Sequence, residues 1–332
     1  MNSTKKMLYV GSFPGPIGGT TILTKLQHDI LRNNRELTVF DTEGSKLISL
    51  LRTILFFKGD EIFVCVSSRG LNRFFLVLLF LAQFRNLKVF IRFYGGDFYK
   101  LRLPKNLTNT ENIVFITETL GNIKYFQSKG YIATQLTNFR SLPKEKIPTK
   151  PRENYIFVGQ IKSDKGVLEI KKAFDGLDEE IHFWGPCDWD VQPSDLEGNN
   201  SRYRGTFDLG SFHTVISEYK ALIFPSQYIG ESHAGVIVEA YSTKTPVITS
   251  RWQALPEIVI DGQTGFSFDS VSASNIIQAV LTFEKMNYEK LQDASFARYK
   301  KFHSETAAAD RLDYIINFDG SWAEHKTTYL SP

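Results

Sequence analysis

Cysteine is nearly absent from this chain of 332 residues, which holds only Cys65 and Cys187. Two thiols cannot build the disulfide framework of a small secreted scaffold, and neither sits in a metal-type spacing, so a reducing compartment is the simpler reading. The histidines include no pair of the HExxH kind. Long apolar runs are missing too. The longest, Phe74 to Phe84 (FFLVLLFLAQF), is closed by Arg73 and Arg85, whereas a bilayer span needs about 20 such residues. A buried helix is the default for this run; with the Leu50 to Phe57 run and its arginines, it is also a candidate peripheral membrane face. The opening MNSTKKMLYVGSFPG reaches Gly11 too soon for a signal-peptide core, so a cytoplasmic protein is expected. There is no internal repeat and no low-complexity segment.

Hydrophobic residues at 42% and charged residues at 23% are the proportions of a folded soluble protein rather than a disordered or collagen-like one. The formal charge of +3 conceals an asymmetry. Residues 1–150 carry 22 Lys and Arg against 10 Asp and Glu, net +12; the remainder carries 17 against 26, net −9. A basic half joined to an acidic half points to an anionic partner for the first, such as a lipid surface or a phosphorylated acceptor. Nucleic acid is disfavoured, because the basic residues are scattered and form no recognised module.

Short β-rich runs alternate with helical patterns: MLYVGS, TILTKLQHDILRN, ELTVF, a helix over 46–57, EIFVCVSS, the apolar helix, KVFIRFYGG, IVFITE and LGNIKYFQSKG. This rhythm predicts parallel strands with helices on both faces. It pauses at SLPKEKIPTKPRE, residues 141–153, where prolines and dense charge continue neither period. It restarts at NYIFVGQI and runs through KGVLEIKKAF, EIHFWG, a polar loop, ALIFPS, AGVIVEAYST and PVITS to about Phe318. The expected organisation is a Rossmann-like domain over residues 1–145, a linker over 146–153, a second Rossmann-like domain over 154–318 and a tail over 319–332. Two doubly wound α/β domains facing across a cleft place ligands at the carboxyl ends of their strands.

The most informative stretch is IFPSQYIGESHAGVIVEAYSTKTPVITS, residues 223–250. A strand ends at Pro225, a loop carries Glu231, and a helix opens near His233 with Glu239 two turns on. The backbone amides of His233, Ala234, Gly235 and Val236 at that opening form an anion site. Glu239 lies among Val236, Ile237, Val238 and Ala240, where a carboxylate without a partner is costly. This segment resembles the signature of retaining glycosyltransferases of the GT-B fold, in particular glycosyltransferase family 4 (group 1): two glutamates, Glu231 and Glu239, then a helix and a Pro246-Val247-Ile248 strand. LPEIVIDGQTGFSF, residues 255–268, is similar to the region that follows in that family.

The resemblance assigns further residues. YIFVGQIKSDKGVLEIKKAF looks like the family's strand, loop and helix that present an arginine and a lysine to the donor diphosphate; Lys165 matches the lysine, while Gln160 stands where arginine is usual and offers a neutral donor. Gly18 and Gly19 match a glycine loop with amides free to approach a phosphate or sugar. In IRFYGGDFYK, residues 91–100, Tyr94 replaces a histidine ahead of Gly95-Gly96, and Tyr94 and Asp97 are candidates for sugar or acceptor contact. Asn138 matches an asparagine that follows the family's last N-terminal strand. Asp188-Trp189-Asp190 spells a metal-binding Asp-x-Asp but sits in a polar loop, so no metal is expected. GESHAG has one residue too many for a nucleophile elbow, which removes Ser232 as a nucleophile.

What the resemblance implies is transfer of a hexose from a nucleotide diphosphate sugar, with retention of configuration and without a metal or other cofactor. Glu231 and Lys165 are the expected catalytic residues. The donor is expected to meet Gly18, Gly19, Gln160, Lys165, His233, Ala234, Gly235, Val236 and Glu239. The acceptor is expected to be lipid-linked or an oligosaccharide, as in bacterial surface polysaccharide assembly, with the protein peripheral on an anionic inner membrane face. The alternatives are a nucleotide-sugar epimerase of the same fold and a catalytically weakened sugar-nucleotide-binding protein.

Overall fold

The computed structural model describes residues 5–13, 18–85, 87–104, 110–143, 152–206 and 211–318. By its contacts the chain divides into two compact units, residues 1–138 with 305–331, and residues 139–304.

In the first unit the strands are β1 (Lys6–Gly11), β2 (Glu36–Asp41), β3 (Glu61–Val66), β4 (Lys88–Phe93), β5 (Ile113–Thr117) and β6 (Ile132–Gln135). They pair in the order β2-β1-β3-β4-β5-β6, all parallel. The central strands are buried on both faces, as expected of a parallel sheet covered by helices: every residue of β3 and β5 is buried. The helices are α1 (Gly19–Leu31), α2 (Leu47–Phe56), α3 (Ser68–Phe84) and α4 (Leu120–Ser128). The strand order reverses between β1 and β3, so the crevice at the carboxyl end of this sheet opens there.

The second unit repeats the plan with β7 (Tyr155–Val158), β8 (Ile181–Trp184), β9 (Ser201–Tyr203), β10 (Ala221–Phe224), β11 (Val247–Ser250) and β12 (Gly265–Phe268). Their order is β12-β11-β10-β7-β8-β9, again parallel, with the reversal between β7 and β10. Between and after these strands come α5 (Val167–Phe174), α6 (Phe212–Ser217), α7 (Gly235–Ser242), α8 (Leu255–Ile258), α9 (Ala273–Glu284) and α10 (Tyr288–Arg298), then a π-helical turn at Tyr299–His303. The three-residue β9 was not marked in the sequence, where it lies inside the polar loop; a strand that short leaves no period to read.

Two expected boundaries move. The last helix, α11 (Glu305–Ile316), was assigned with residues 154–318 but belongs to the first unit. Its Arg311 donates from Nε to the Gln135 carbonyl (3.0 Å) and from Nη2 to Thr134 Oγ1 (2.8 Å), both on β6, while Asn317 beyond it accepts from Arg35 (2.7 Å). An amphipathic pattern shows that a helix has a face to bury, not which core receives it. Of the expected linker, 146–151 lie outside the described residues, as does the tail 319–332. Arg152 is already part of the second unit: it is buried and donates to Thr245 Oγ1 (2.8 Å) and the Thr243 carbonyl (2.9 Å).

Candidate active site

The reversal point of the second sheet brings together the loops that follow β7 and β10. The β7 loop tightens into a 3-10 turn over Ser163–Lys165 and closes on Gly166, whose φ of +73° is a left-handed conformation that favours glycine. A side chain there would also collide with the Pro225 carbonyl, 2.7 Å from the position of a Cβ. The Asp164 carbonyl accepts the Gln227 amide at 2.8 Å, so the two loops are tied through their backbones. Asp190 accepts from both the amide and the hydroxyl of Ser163 (3.1 and 2.5 Å), and Asp188 accepts from Gln160 Nε2 (3.2 Å). The aspartates of the Asp-x-Asp string thus brace the β7 loop.

Held this way, Lys165 and Glu231 meet. Lys165 Nζ donates to Glu231 Oε2 at 2.6 Å, and Ser226 Oγ donates to the same oxygen at 2.5 Å. The Lys165 ammonium also lies over the Tyr228 ring, 4.6 Å from its centre. Glu231 is 8% exposed, and the Lys165 side chain 15%. A cation and a carboxylate 66 positions apart in sequence therefore share one partly desolvated pocket, where their electrostatic effect on a ligand exceeds that of solvated charges.

Beside them α7 begins at Gly235, with Ala234 as its N-cap and no side-chain cap bond there. The expected anion-binding amides of Gly235 and Val236 stand at this helix entrance, with both residues half-buried. His233 is buried, with Nε2 3.2 Å from Glu257 Oε2. Glu239, on the same helix, is paired with Arg140, whose Nε lies 2.6 Å from Oε1; the side chains are 6% and 13% exposed.

Arg140 is the functional candidate that sequence reasoning missed. It sits two residues after Asn138, which the resemblance picked out, but no local pattern connects it to Glu239, 99 positions away. Its backbone is clasped on both sides: the amide donates to the His303 carbonyl (3.0 Å), and its carbonyl accepts the Tyr299 hydroxyl (3.0 Å). Its guanidinium lies against the Cα of Gly235, with Nη2 only 2.0 Å from where a Cβ would stand. A fixed cation is thus present at the helix entrance, although Gln160 is neutral.

In the first unit, a cavity of about 300 Å³ opens at the carboxyl ends of β1 to β4. Thr20 and Thr24 of α1, Lys46 ahead of α2, Arg73 of α3, Cys65 and Tyr94 contribute to its wall. Gly18 is the N-cap of α1 and Gly19 its first residue, so the expected glycine amides lie at the start of the helix that carries Thr20 and Thr24; residues 14–17 of that loop lie outside the described residues. Tyr94 reaches Gln27 Oε1 and Thr24 Oγ1 (3.4 and 3.5 Å). Burial pushes its phenol and the Cys65 thiol up from their ordinary values, so both stay neutral and Cys65 is no thiolate nucleophile. Asp97 is outside the cavity wall and accepts from Ser68 at the start of α3 (2.6 Å).

The segment that builds the Lys165 pocket has known relatives. Residues 152–285 match the family described as "Glycosyl transferases group 1". The chain is 30% identical over 144 residues to an "Uncharacterized 41.2 kDa protein in cps region" of Klebsiella pneumoniae, a match spanning 42% of this chain and 38% of that one. Solved structures share the architecture along nearly the whole chain. A sucrose-phosphate synthase from Thermosynechococcus elongatus aligns with a TM-score of 0.71 at 14% identity, covering 94% of this chain and 98% of that one. The lipopolysaccharide outer core galactosyltransferase WaaB in its apo form gives 0.68 at 13%, covering 94% and 99%. Anabaena HepE in complex with UDP and glucose gives 0.68 at 11%, also covering 94% and 99%. The fold is GT-B, and with the matched segment it supports a GT-B glycosyltransferase of group 1.

Proposed function

We propose that this protein is a retaining hexosyltransferase, which moves a hexose from a nucleotide diphosphate sugar to a lipid-linked or oligosaccharide acceptor in surface polysaccharide assembly. The observation that carries the reading is the pair of cation–carboxylate contacts, Lys165–Glu231 and Arg140–Glu239, flanking the entrance of α7. A diphosphate arriving at that entrance competes for both cations. As it takes them, it releases Glu231 to accept hydrogen bonds from the sugar hydroxyls and Glu239 from the ribose.

In the reaction, the bond between the anomeric carbon and the diphosphate oxygen breaks while an oxocarbenium-like sugar develops, and the acceptor oxygen forms the new bond on the same face. The departing phosphate oxygen takes the acceptor proton. Lys165, Arg140 and the Gly235 and Val236 amides stabilise the charge growing on the leaving group without a metal; one such preorganised donor contributes about 3 kcal/mol. Gln160, held by Asp188, stays a neutral donor at the edge of the site.

Further support comes from the neighbours: HepE was solved with UDP and glucose, and the Klebsiella relative is named for a cps region. No helix of the described residues is long and apolar enough to cross a membrane, and the basic first half suits work at the inner face of the plasma membrane on an acceptor that carries phosphate. The acceptor's place in this reading is the cavity with Lys46, Arg73 and Tyr94.

The test is a thermal-shift panel of nucleoside diphosphates and their sugars, followed by product analysis with and without lipid-linked saccharides. A nucleotide sugar should raise the melting temperature by mass action and be consumed only with acceptor, giving a product of unchanged anomeric configuration. Epimerisation of the donor alone, or an inverted product, would overturn the proposal.

A further inference from the structure

The outward faces of α2 and α3 carry large apolar side chains that neither core absorbs. Ile48, Leu55 and Phe56 on α2 and Leu76, Phe80 and Phe84 on α3 are solvent-exposed, Phe56 by 77% and Phe84 by 72%. On α3 the exposed residues Arg69, Arg73, Leu76, Phe80 and Phe84 recur every three or four positions and so form one stripe, basic at its start and apolar at its end. Arg85 donates to the Leu55 and Phe57 carbonyls (3.1 and 2.7 Å), which laces the last turns of the two helices side by side. Contiguous exposed apolar surface of this kind marks an interaction site.

Its charge says what the partner is. Between Gly44 and Gly96 the sequence holds eight Lys and Arg but only Asp60 and Glu61 as acids. Glu61 is buried and committed to Arg35 (2.8 Å) and Lys5 (3.1 Å), and Asp60 accepts the Lys6 amide. Lys46, Arg52, Lys58, Arg69, Arg73 and Arg85 are exposed around the apolar residues. A second copy presenting the same face would set cations against cations. A plane of anionic headgroups supplies the missing counter-charge, while the aromatic rings enter the headgroup and acyl boundary.

We propose that the α2–α3 face docks flat on a bilayer surface containing anionic phospholipid. This deepens the reading of a membrane-borne acceptor, because the same helices wall the cavity: Lys46 and Leu50 from one side, Arg73 and Phe74 from the other. A lipid-phosphate acceptor held in that plane enters the cavity past two cations. The docking itself does not depend on any sugar chemistry.

The experiment is co-flotation of the full chain with phosphatidylcholine vesicles with and without phosphatidylglycerol, at low and high salt. Wild-type protein should float with the anionic vesicles and be released by salt. The triple variant Phe56→Ser, Phe80→Ser, Phe84→Ser should bind at least about tenfold more weakly, and Arg52→Gln with Arg69→Gln about 25-fold more weakly, near fivefold for each charge. None of these residues lies in either pocket, so melting curves and the shift produced by UDP should match wild type in every variant. Failure of UDP to shift even the wild type would count against the transferase reading and leave the docking result standing. The proposal is overturned if wild-type protein ignores vesicle charge, if the variants float as well as wild type, or if sedimentation shows that the triple variant only breaks a dimer.

Discussion

The contact between Gly235 and Arg140 makes a quantitative prediction about substitution at the helix entrance. An alanine Cβ at 235 would stand 2.0 Å from Arg140 Nη2, and real Cβ atoms keep at least 3.0 Å from a neighbour, so the guanidinium must withdraw by about 1 Å. It cannot do so freely, because Nε is bonded to Glu239 at 2.6 Å and Nη1 to the Phe139 carbonyl at 2.9 Å. Lengthening the Nε contact by that amount takes it to about 3.6 Å, outside hydrogen-bond range. Breaking a buried pair of this kind costs about 3 kcal/mol, which for a unit of this size lowers the melting temperature by roughly 6–12 °C. Arg140→Ala should cost a similar amount by leaving Glu239 without its cation. The double variant is the decisive one: with the guanidinium gone, the new methyl meets no obstacle, and the loss should stay near that of Arg140→Ala alone, giving a coupling of about 3 kcal/mol. Calorimetry on the four proteins measures this cycle. If the two losses simply add, the steric account is wrong and Gly235 matters for another reason.

Three further outcomes follow from the same geometry. Lys165→Met should remove the cation that faces Glu231, reducing turnover about 100- to 1000-fold and abolishing the thermal shift produced by nucleoside diphosphates; unchanged kinetics would exclude Lys165 from the site. Gly166→Ala places a side chain at positive φ against the Pro225 carbonyl and should destabilise the second unit by about 2 kcal/mol in denaturant unfolding, whereas a neutral result would mean that the β7 loop yields. Burial, partly opposed by Glu180, holds His182 below the ordinary imidazole value of 6.5. The folded state therefore resists protonation, so stability is full above that value and declines as pH falls below it; melting temperatures of wild type and His182→Gln measured across the acid range should diverge there, and parallel curves would refute the sign.

Much of the fold was legible because strand and helix periods are local. Alternating short β-rich runs and amphipathic helices gave two parallel-sheet units, and the apolar setting of Glu239 announced a carboxylate that needs a partner. The partner itself was not legible. Arg140 lies 99 positions from Glu239, and Lys165 lies 66 from Glu231; their meeting depends on which strand ends adjoin after the sheet is wound. The same limit explains α11, whose buried face was evident and whose host core was not.

The sequence by itself determined the element order, the charge asymmetry between the halves and the acidic, glycine-containing helix entrance, since each is written within a few consecutive residues. Only the tertiary structure decided that Arg140 stands at the entrance of α7 paired with Glu239, that the Asp-x-Asp string braces a loop, and which apolar residues of α2 and α3 remain outside the core. Those outcomes depend on distances between segments remote in the chain, and no period or composition encodes a distance through space.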